Sequence, residues 1–594
     1  MEKKHAFSPL GAFRRFIKSM SERDGMIVLS LFVGIACGFA AVILKSAIEF
    51  IHHSITSWFD GVAYSALYLI YPGMGMLIAM LFVKYVVKDN IGHGVTKVLL
   101  AVSKNESKIK PHNVWSSMVA SSVTIGFGGS VGAEAPIVYT GAAIGSNVAR
   151  YMGLSYKNMT ILLGCGAAGA VAGIFKAPLA GVLFTLEILL FNISMSSILP
   201  LLLSTISATV ISYIFMGDQP AFECTISDFT MHNIPFYLIL GLFCASCSVY
   251  FTRMTLWLED RIKSIQRPFV RWALSASGLG LLIFLFPPLY GEGYEHLHVL
   301  LNGGMIDMEG ETILAFFMRR EWTIPIFFLL IILLKVFSMS FTNAGGGVGG
   351  TFGPTLFIGA IAGFFLSRTI NLIGGPGLVP EQNFVLVGMA GLMAGVMQAP
   401  MTAIFLIADM TGGYELLIPL ILTSTVSYAA TRAVEPYSIY TKRIAKKGEL
   451  LTHDSDQAVL TLLKTSDLIE SDFRTVRIDA TLGELVDVVA TSKRNIFPVV
   501  DSRNLFHGYV SLEDIRRDMF KKDLYESLHV YNYMVSAPAY VYIDEKMDSV
   551  MNKFEKTQAW NLPVVDHDRT YVGFVSKSKI FSAYRDQLKQ VSHD

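Results

Sequence analysis

Gly129-Ser130-Val131-Gly132-Ala133-Glu134-Ala135-Pro136 returns later in the chain, in degenerate form, as Gly346-Gly347-Val348-Gly349-Gly350-Thr351-Phe352-Gly353-Pro354. Each copy closes one apolar run and opens another. A Gly-rich break that leads into a membrane helix leaves backbone N–H groups unpaired at the helix's positive end. Two such breaks in matching halves predict an anion site near the middle of a bilayer. The first copy also carries a lone carboxylate, Glu134, in a setting where charge is expensive and marks function.

The repeat extends beyond these loops. At an offset of 222, Gly166, Ala168, Gly169, Ala172, Gly173, Ala177 and Pro178 lie over Gly388, Ala390, Gly391, Ala394, Gly395, Ala399 and Pro400. At an offset of 218, Pro136, Gly141, Ala142 and Gly145 lie over Pro354, Gly359, Ala360 and Gly363. The apolar body is therefore two related halves, about 26–216 and 233–433. A straight span needs about 20 apolar residues. Several runs here are shorter and broken by Gly or Pro, as at 137–151 and 179–191. Broken helices persist in a membrane only when buried in protein or lining a wet cavity. That pattern predicts a transporter or channel, and one sequence does not say whether the halves are inverted.

Of 594 residues, 52% are hydrophobic. Charge is uneven: of 48 Lys+Arg and 47 Asp+Glu, 45 lie in the 154 residues from Thr441 to Asp594. The boundary between membrane body and water-soluble tail is thus expected near Thr441. A net charge of +1 gives no basis for a nucleic-acid partner. The basic segment 1–24 has no secretory signal pattern and is expected in the cytoplasm, as an amphipathic surface helix with Leu10, Phe13, Phe16 and Ile17 on one side. Cys244-x-x-Cys247 has no second ligand pair and reads as small-residue packing. Gly164-x-Gly166-x-x-Gly169 sits in an apolar run with no preceding strand, so it reads as close helix contact and not as a dinucleotide fingerprint. His296-x-His298 reads as a loop pair. Nothing in the chain suggests an enzyme or a metal site.

The tail carries its own repeat. Phe497-Pro498-Val499-Val500-Asp501 returns as Leu562-Pro563-Val564-Val565-Asp566, and Gly508-Tyr509-Val510-Ser511 as Gly573-Phe574-Val575-Ser576. Each copy reads as helix, strand, strand, helix, with first helices at 481–489 and 546–554.

On these residues the membrane body resembles the CLC chloride channels and chloride/proton antiporters, and the tail resembles a tandem CBS (Bateman) pair. The family's four motifs occur in order: Gly92-His93-Gly94-Val95-Thr96, Gly132-Ala133-Glu134-Ala135-Pro136, Gly350-Thr351-Phe352-Gly353-Pro354, and Tyr440 in Ser438-Ile439-Tyr440-Thr441. The resemblance implies an all-α polytopic CLC fold, with two inverted repeats of broken, tilted helices, followed by an α/β CBS module. The boundaries are 25–440 for the membrane domain, 441–467 for a linker, and 468–520 and 528–590 for the two CBS domains. It also implies a homodimer in the cell (inner) membrane with both termini cytoplasmic, chloride as the transported ligand, and no required cofactor.

The same resemblance makes Glu134 the outer gate and proton carrier: its charged form plugs the outer anion site, and protonation frees it. Backbone N–H groups of Thr351 and Phe352 and the hydroxyl of Tyr440 would hold chloride. At the first motif, His93 replaces the family's serine. Either its ring donates to the anion, or it points away and leaves Gly94 and Val95 to do so. Glu187 matches the first glutamate of the antiporters' Phe-x-x-Glu-Glu pattern, while the second, the inner proton residue, is Ile188. Because an aliphatic side chain relays no proton, a passive channel is favoured over an antiporter using Glu187 or water. Glu187 and its counterpart Asp409 also have a purely structural reading. In the tail, Ser511 and Asp514 match the CBS ribose pattern, so an adenine nucleotide is a candidate ligand there; the second copy has Lys579 at the aspartate's place. A CBS-regulated divalent cation channel would need more acidic residues in the core motifs, and an intramembrane metalloprotease would need a His-Glu-x-x-His helix, which is absent.

Overall fold

The computed structural model describes residues 14–17, 19–56, 69–189, 195–220, 222, 226–302, 322–446 and 463–592. The expected amphipathic positions Leu10 and Phe13, and residues 447–462 of the expected linker, lie outside them. The chain divides into two compact units, Met1–Leu451 and Thr452–Asp594.

The first unit is helical. Among the described residues, eight helices are long and apolar enough to cross a membrane, from Glu22–Ile55 to Leu417–Ala445. Between them lie shorter apolar helices, including Pro178–Glu187, Glu381–Met397 and Pro400–Thr411. Small residues set the packing. The helices Glu134–Met152 and Tyr156–Phe175 cross at Gly141 and Gly166, where a Cβ on either would fall 2.1 or 2.0 Å from the other's carbonyl oxygen. The helices Phe352–Gly374 and Glu381–Met397 cross the same way at Gly359 and Gly388, with 2.5 and 2.4 Å. Such approach is open only to glycine. Both second helices end on a left-handed residue, Lys176 (φ 56°) and Gln398 (φ 54°), and an Ala-Pro step starts the next short helix.

Contacts between the halves are reciprocal. The Thr124 hydroxyl accepts from the Val348 N–H (3.1 Å), and the Thr342 hydroxyl from the Ser130 N–H (3.2 Å). Gly132 and Gly350 exchange N–H···O bonds of 3.0 and 2.7 Å as an antiparallel bridge. Glu187 accepts from the N–H groups of Met401 (3.0 Å) and Thr402 (2.6 Å), while Asp409 accepts from those of Leu179 (3.2 Å) and Ala180 (3.4 Å). The end of each short helix thus meets the start of its counterpart, so corresponding elements run antiparallel, as inverted repeats require. The His pair lies on the short helix Tyr294–Leu301, not in a loop, with the His298 ring 5.1 Å from that of Phe222.

The second unit holds two three-stranded sheets, β1 (Val476–Arg477), β2 (Ile496–Val500) and β3 (Phe506–Ser511), then β4 (Val541–Tyr542), β5 (Asn561–Val565) and β6 (Tyr571–Ser576). In each, the first pair is parallel and the second antiparallel, with a register shift at Val499/Val500 and again at Val564/Val565. The helices Leu482–Thr491 and Met547–Thr557 cover them.

Candidate functional site

Glu134 is the first residue of the helix Glu134–Met152 and is 2% exposed. Its Oε2 accepts from the backbone N–H of Gly353 at 3.2 Å, and its Oε1 from the Tyr294 hydroxyl at 2.7 Å. The carboxylate of one half therefore sits on the N-terminus of the helix Phe352–Gly374 in the other, where helix dipole and unpaired amides favour an anion. Gly132 makes room for it: a Cβ there would lie 2.0 Å from Glu134 Oε2 and 2.8 Å from Gly353 N.

The expected amide donors, Thr351 and Phe352, occupy the cap and first position of that helix, but Gly353 supplies the N–H that Glu134 uses. The Phe352 ring is buried, stacked 5.3 Å from Phe175 and tilted 6.4 Å from Phe184. Tyr440 is 2% exposed, and its hydroxyl faces the Met397 thioether at 3.8 Å, a weak acceptor. Glu134 of one half is thus brought onto the Thr351–Gly353 turn of the other, and Phe352 and Tyr440 are buried in the same core.

At the first motif, His93 is the left-handed cap (φ 56°) of the helix Gly94–Lys104. Its Nε2 lies 3.2 Å from Glu259 Oε2 and 3.1 Å from Lys263 Nζ, and Glu259 also binds Arg443 at 2.8 Å. The ring is committed to this ion cluster. Of the two alternatives for His93, these contacts favour the ring pointing away and the amides of Gly94 and Val95 serving an anion. The sequence reading missed Glu259 because its partners are remote in the chain.

The family model described as "Voltage gated chloride channel" matches residues 74–432. This chain belongs to the voltage-gated chloride channel (CLC) family. CBS domain models match 466–521 and 530–586. Similar proteins include the "Putative chloride channel protein ClcB-like" of Ralstonia nicotianae, 28% identical over 395 residues that make up 64% of this chain and 86% of the relative. The "H(+)/Cl(-) exchange transporter ClcA" of Vibrio cholerae is 25% identical over 75% of this chain and 95% of its own length. The "Chloride channel protein CLC-e" of Arabidopsis thaliana is 25% identical over 67% of this chain, which spans 62% of that relative's length. The fold is shared with a slow cyanobacterial Cl-/H+ antiporter (TM-score 0.61, 21% identity, 72% of this chain and 98% of that one). It is also shared with a eukaryotic CLC transporter (TM-score 0.59, 16% identity, 93% and 97%).

In this CLC protein Glu187 is absorbed by structure. Besides the two amides, its Oε2 accepts the Thr402 hydroxyl at 2.6 Å. The carboxylate is a helix cap delivered by the other half, as its structural reading expects, and Ile188 beside it is buried. Replacing either reciprocal cap, Glu187→Gln or Asp409→Asn, is expected to lower stability by about 1 kcal/mol, the usual worth of a cap, and to leave the pH dependence of transport unchanged. Thermal unfolding in detergent and flux in liposomes check this; altered pH dependence in Glu187→Gln would give it a proton role.

In the tail, Ser511 and Asp514 satisfy one another. Asp514 Oδ2 accepts from the Ser511 N–H (2.9 Å) and hydroxyl (2.7 Å), closing a helix capping box. A nucleotide ribose bound there would displace these bonds. Among the described residues no group of three or more His, Cys, Asp or Glu is placed to hold a metal.

Proposed function

We propose that this chain carries chloride across a cell membrane by a passive, gated route, with Glu134 as the gate. The observation that carries this reading is the Glu134 carboxylate seated on the Gly353 amide. A carboxylate that fills an anion's place on a helix end blocks that place while charged and vacates it when neutral. Chloride would then take the amides of the Thr351–Gly353 turn and the hydroxyl of Tyr440, which exchanges a weak thioether contact for a halide. Binding by uncharged donors keeps the ion mobile. A homodimer with one pore per subunit in the inner membrane, tail on the cytoplasmic side, completes the proposal.

The passive reading rests on Ile188 and on the capping role of Glu187, which together leave the inner side without its family proton acceptor. Exchange is the second reading, supported by the exchanger name of the Vibrio relative. Purified protein in liposomes separates them. Chloride flux without uphill proton movement is expected under a chloride gradient; proton uptake driven by chloride would establish exchange, and no chloride flux at all would overturn the proposal.

A further inference from the structure

Glu292 plays no part in the reading above, yet it stands at the same mouth. It lies in a turn between Leu289 and the helix Tyr294–Leu301, flanked by Gly291 (φ 56°) and Gly293 (φ 90°). This turn is pinned to the first Gly-rich loop, since the Gly291 N–H donates to the Gly128 carbonyl (3.1 Å) and the Ser130 hydroxyl to that of Leu289 (2.8 Å). Glu292 Oε1 accepts from the Ala133 N–H at 2.7 Å, one residue before Glu134. Two residues on, Tyr294 donates to Glu134 itself at 2.7 Å. One short turn thus delivers an acid to the start of the gate's helix and a phenol to the gate.

Both facing helix starts are therefore met by a carboxylate: Glu134 on the second-half helix, Glu292 on the first. Beneath them Lys335 is fully buried, its ammonium donating to the carbonyls of Leu289 (3.3 Å) and Gly291 (2.9 Å) and lying 4.7 Å from the Phe357 ring centre. The charged and titratable groups around Glu292 are Glu134, Lys335, Lys45 and Tyr294, with His296 beyond, near Lys335. The two acids are like charges that meet adjoining positions, Glu292 on the Ala133 N–H and Glu134 on the next residue, so each disfavours ionisation of the other. Burial, and then the charge of Glu134, hold the Glu292 carboxyl above the ordinary carboxylate range. Glu292 is partly exposed where Glu134 is buried, so it meets solvent first.

We propose that Glu292 is a second proton-accepting residue of the outer gate, passing its proton to Glu134 while Lys335 balances the charge left behind. The inference rests on Glu134 being the gate. In the step, protonated Glu292 gives its proton to the Glu134 carboxylate. Glu134 becomes neutral and releases the Gly353 N–H to the anion. Glu292 becomes a carboxylate held by the Ala133 N–H and the field of Lys335, and outer water reprotonates it.

The test uses the full-length protein in liposomes, with inside pH fixed and outside pH varied. Glu292→Gln removes the proton donor and, with it, the carboxylate left after transfer that favours a neutral Glu134, so opening should need more acid: the outside-pH midpoint of chloride flux is expected to fall by about one unit, a tenfold change in proton affinity. Lys335→Met removes a positive neighbour and should move the midpoint the other way, which keeps the test decisive if Glu292→Gln does not fold. A merely structural Glu292 would change protein yield or maximal flux without moving the midpoint. Profiles of both variants that superimpose on wild type, where Glu134→Gln still abolishes pH dependence, would overturn the Glu292 proposal alone. Wild-type-like pH dependence in Glu134→Gln would overturn the gate reading on which it stands.

Discussion

Glu134→Gln should bring chloride flux at neutral pH up to the level that wild type reaches only in acid, and flatten its pH dependence. The wild-type carboxylate holds the Gly353 N–H and accepts from Tyr294. A hydrogen bond to a charged group is worth about 2 kcal/mol, equivalent to roughly a 30-fold preference for the plugged arrangement. Glutamine keeps the shape but not the charge, so it competes poorly with chloride for a helix N-terminus. Flux at neutral pH is therefore expected to rise by roughly tenfold or more. Chloride efflux from liposomes at a series of outside pH values reads this directly. Retained pH dependence would place the titrating gate elsewhere.

Gly166→Val and Gly388→Val should each abolish the folded protein, and to the same degree. At both positions a Cβ falls on the backbone carbonyl of a facing glycine, 2.0 Å from Gly141 O in one half and 2.4 Å from Gly359 O in the other. No rotamer change relieves a clash with backbone, so the helices must separate. Overpacking of a well-packed core commonly costs about 1–3 kcal/mol, and separation also opens the contacts that pin the two Gly-rich loops. Membrane yield and a monodisperse profile in detergent measure the outcome. A well-folded Gly388→Val beside an unfolded Gly166→Val would show that the halves are not equivalent in packing, against the repeat.

Much of this was legible before any coordinates. The offsets 218 and 222 picked out the glycines at which helices cross in each half, because close packing in a membrane demands small residues and leaves a local mark. The two Gly-rich loops, Glu134, and the doubled Pro-Val-Val-Asp strands were visible for the same reason: each is a contiguous stretch whose backbone needs are written in its own residues. Glu292 and Lys335 were not visible, since an acid in a Gly-x-Gly turn and a lysine in an apolar run acquire meaning only from neighbours far along the chain. Glu187 and His93 were ambiguous on the same ground. Each has the right chemistry for ion or proton handling, and the groups that engage it, Thr402 for one and Glu259 for the other, lie far along the chain.

By itself, then, the sequence determined the family, the duplicated membrane body, the CBS tail and the position of Glu134, the carboxylate proposed as gate, because motif spacing and apolar length are properties of the chain alone. Tertiary structure decided which amide Glu134 occupies, which acids serve as helix caps or ion pairs, and which acid stands beside Glu134. Those outcomes depend on which distant donors approach within about 3 Å, and hydrogen-bond energies fall too steeply with distance and angle for chain order to dictate them.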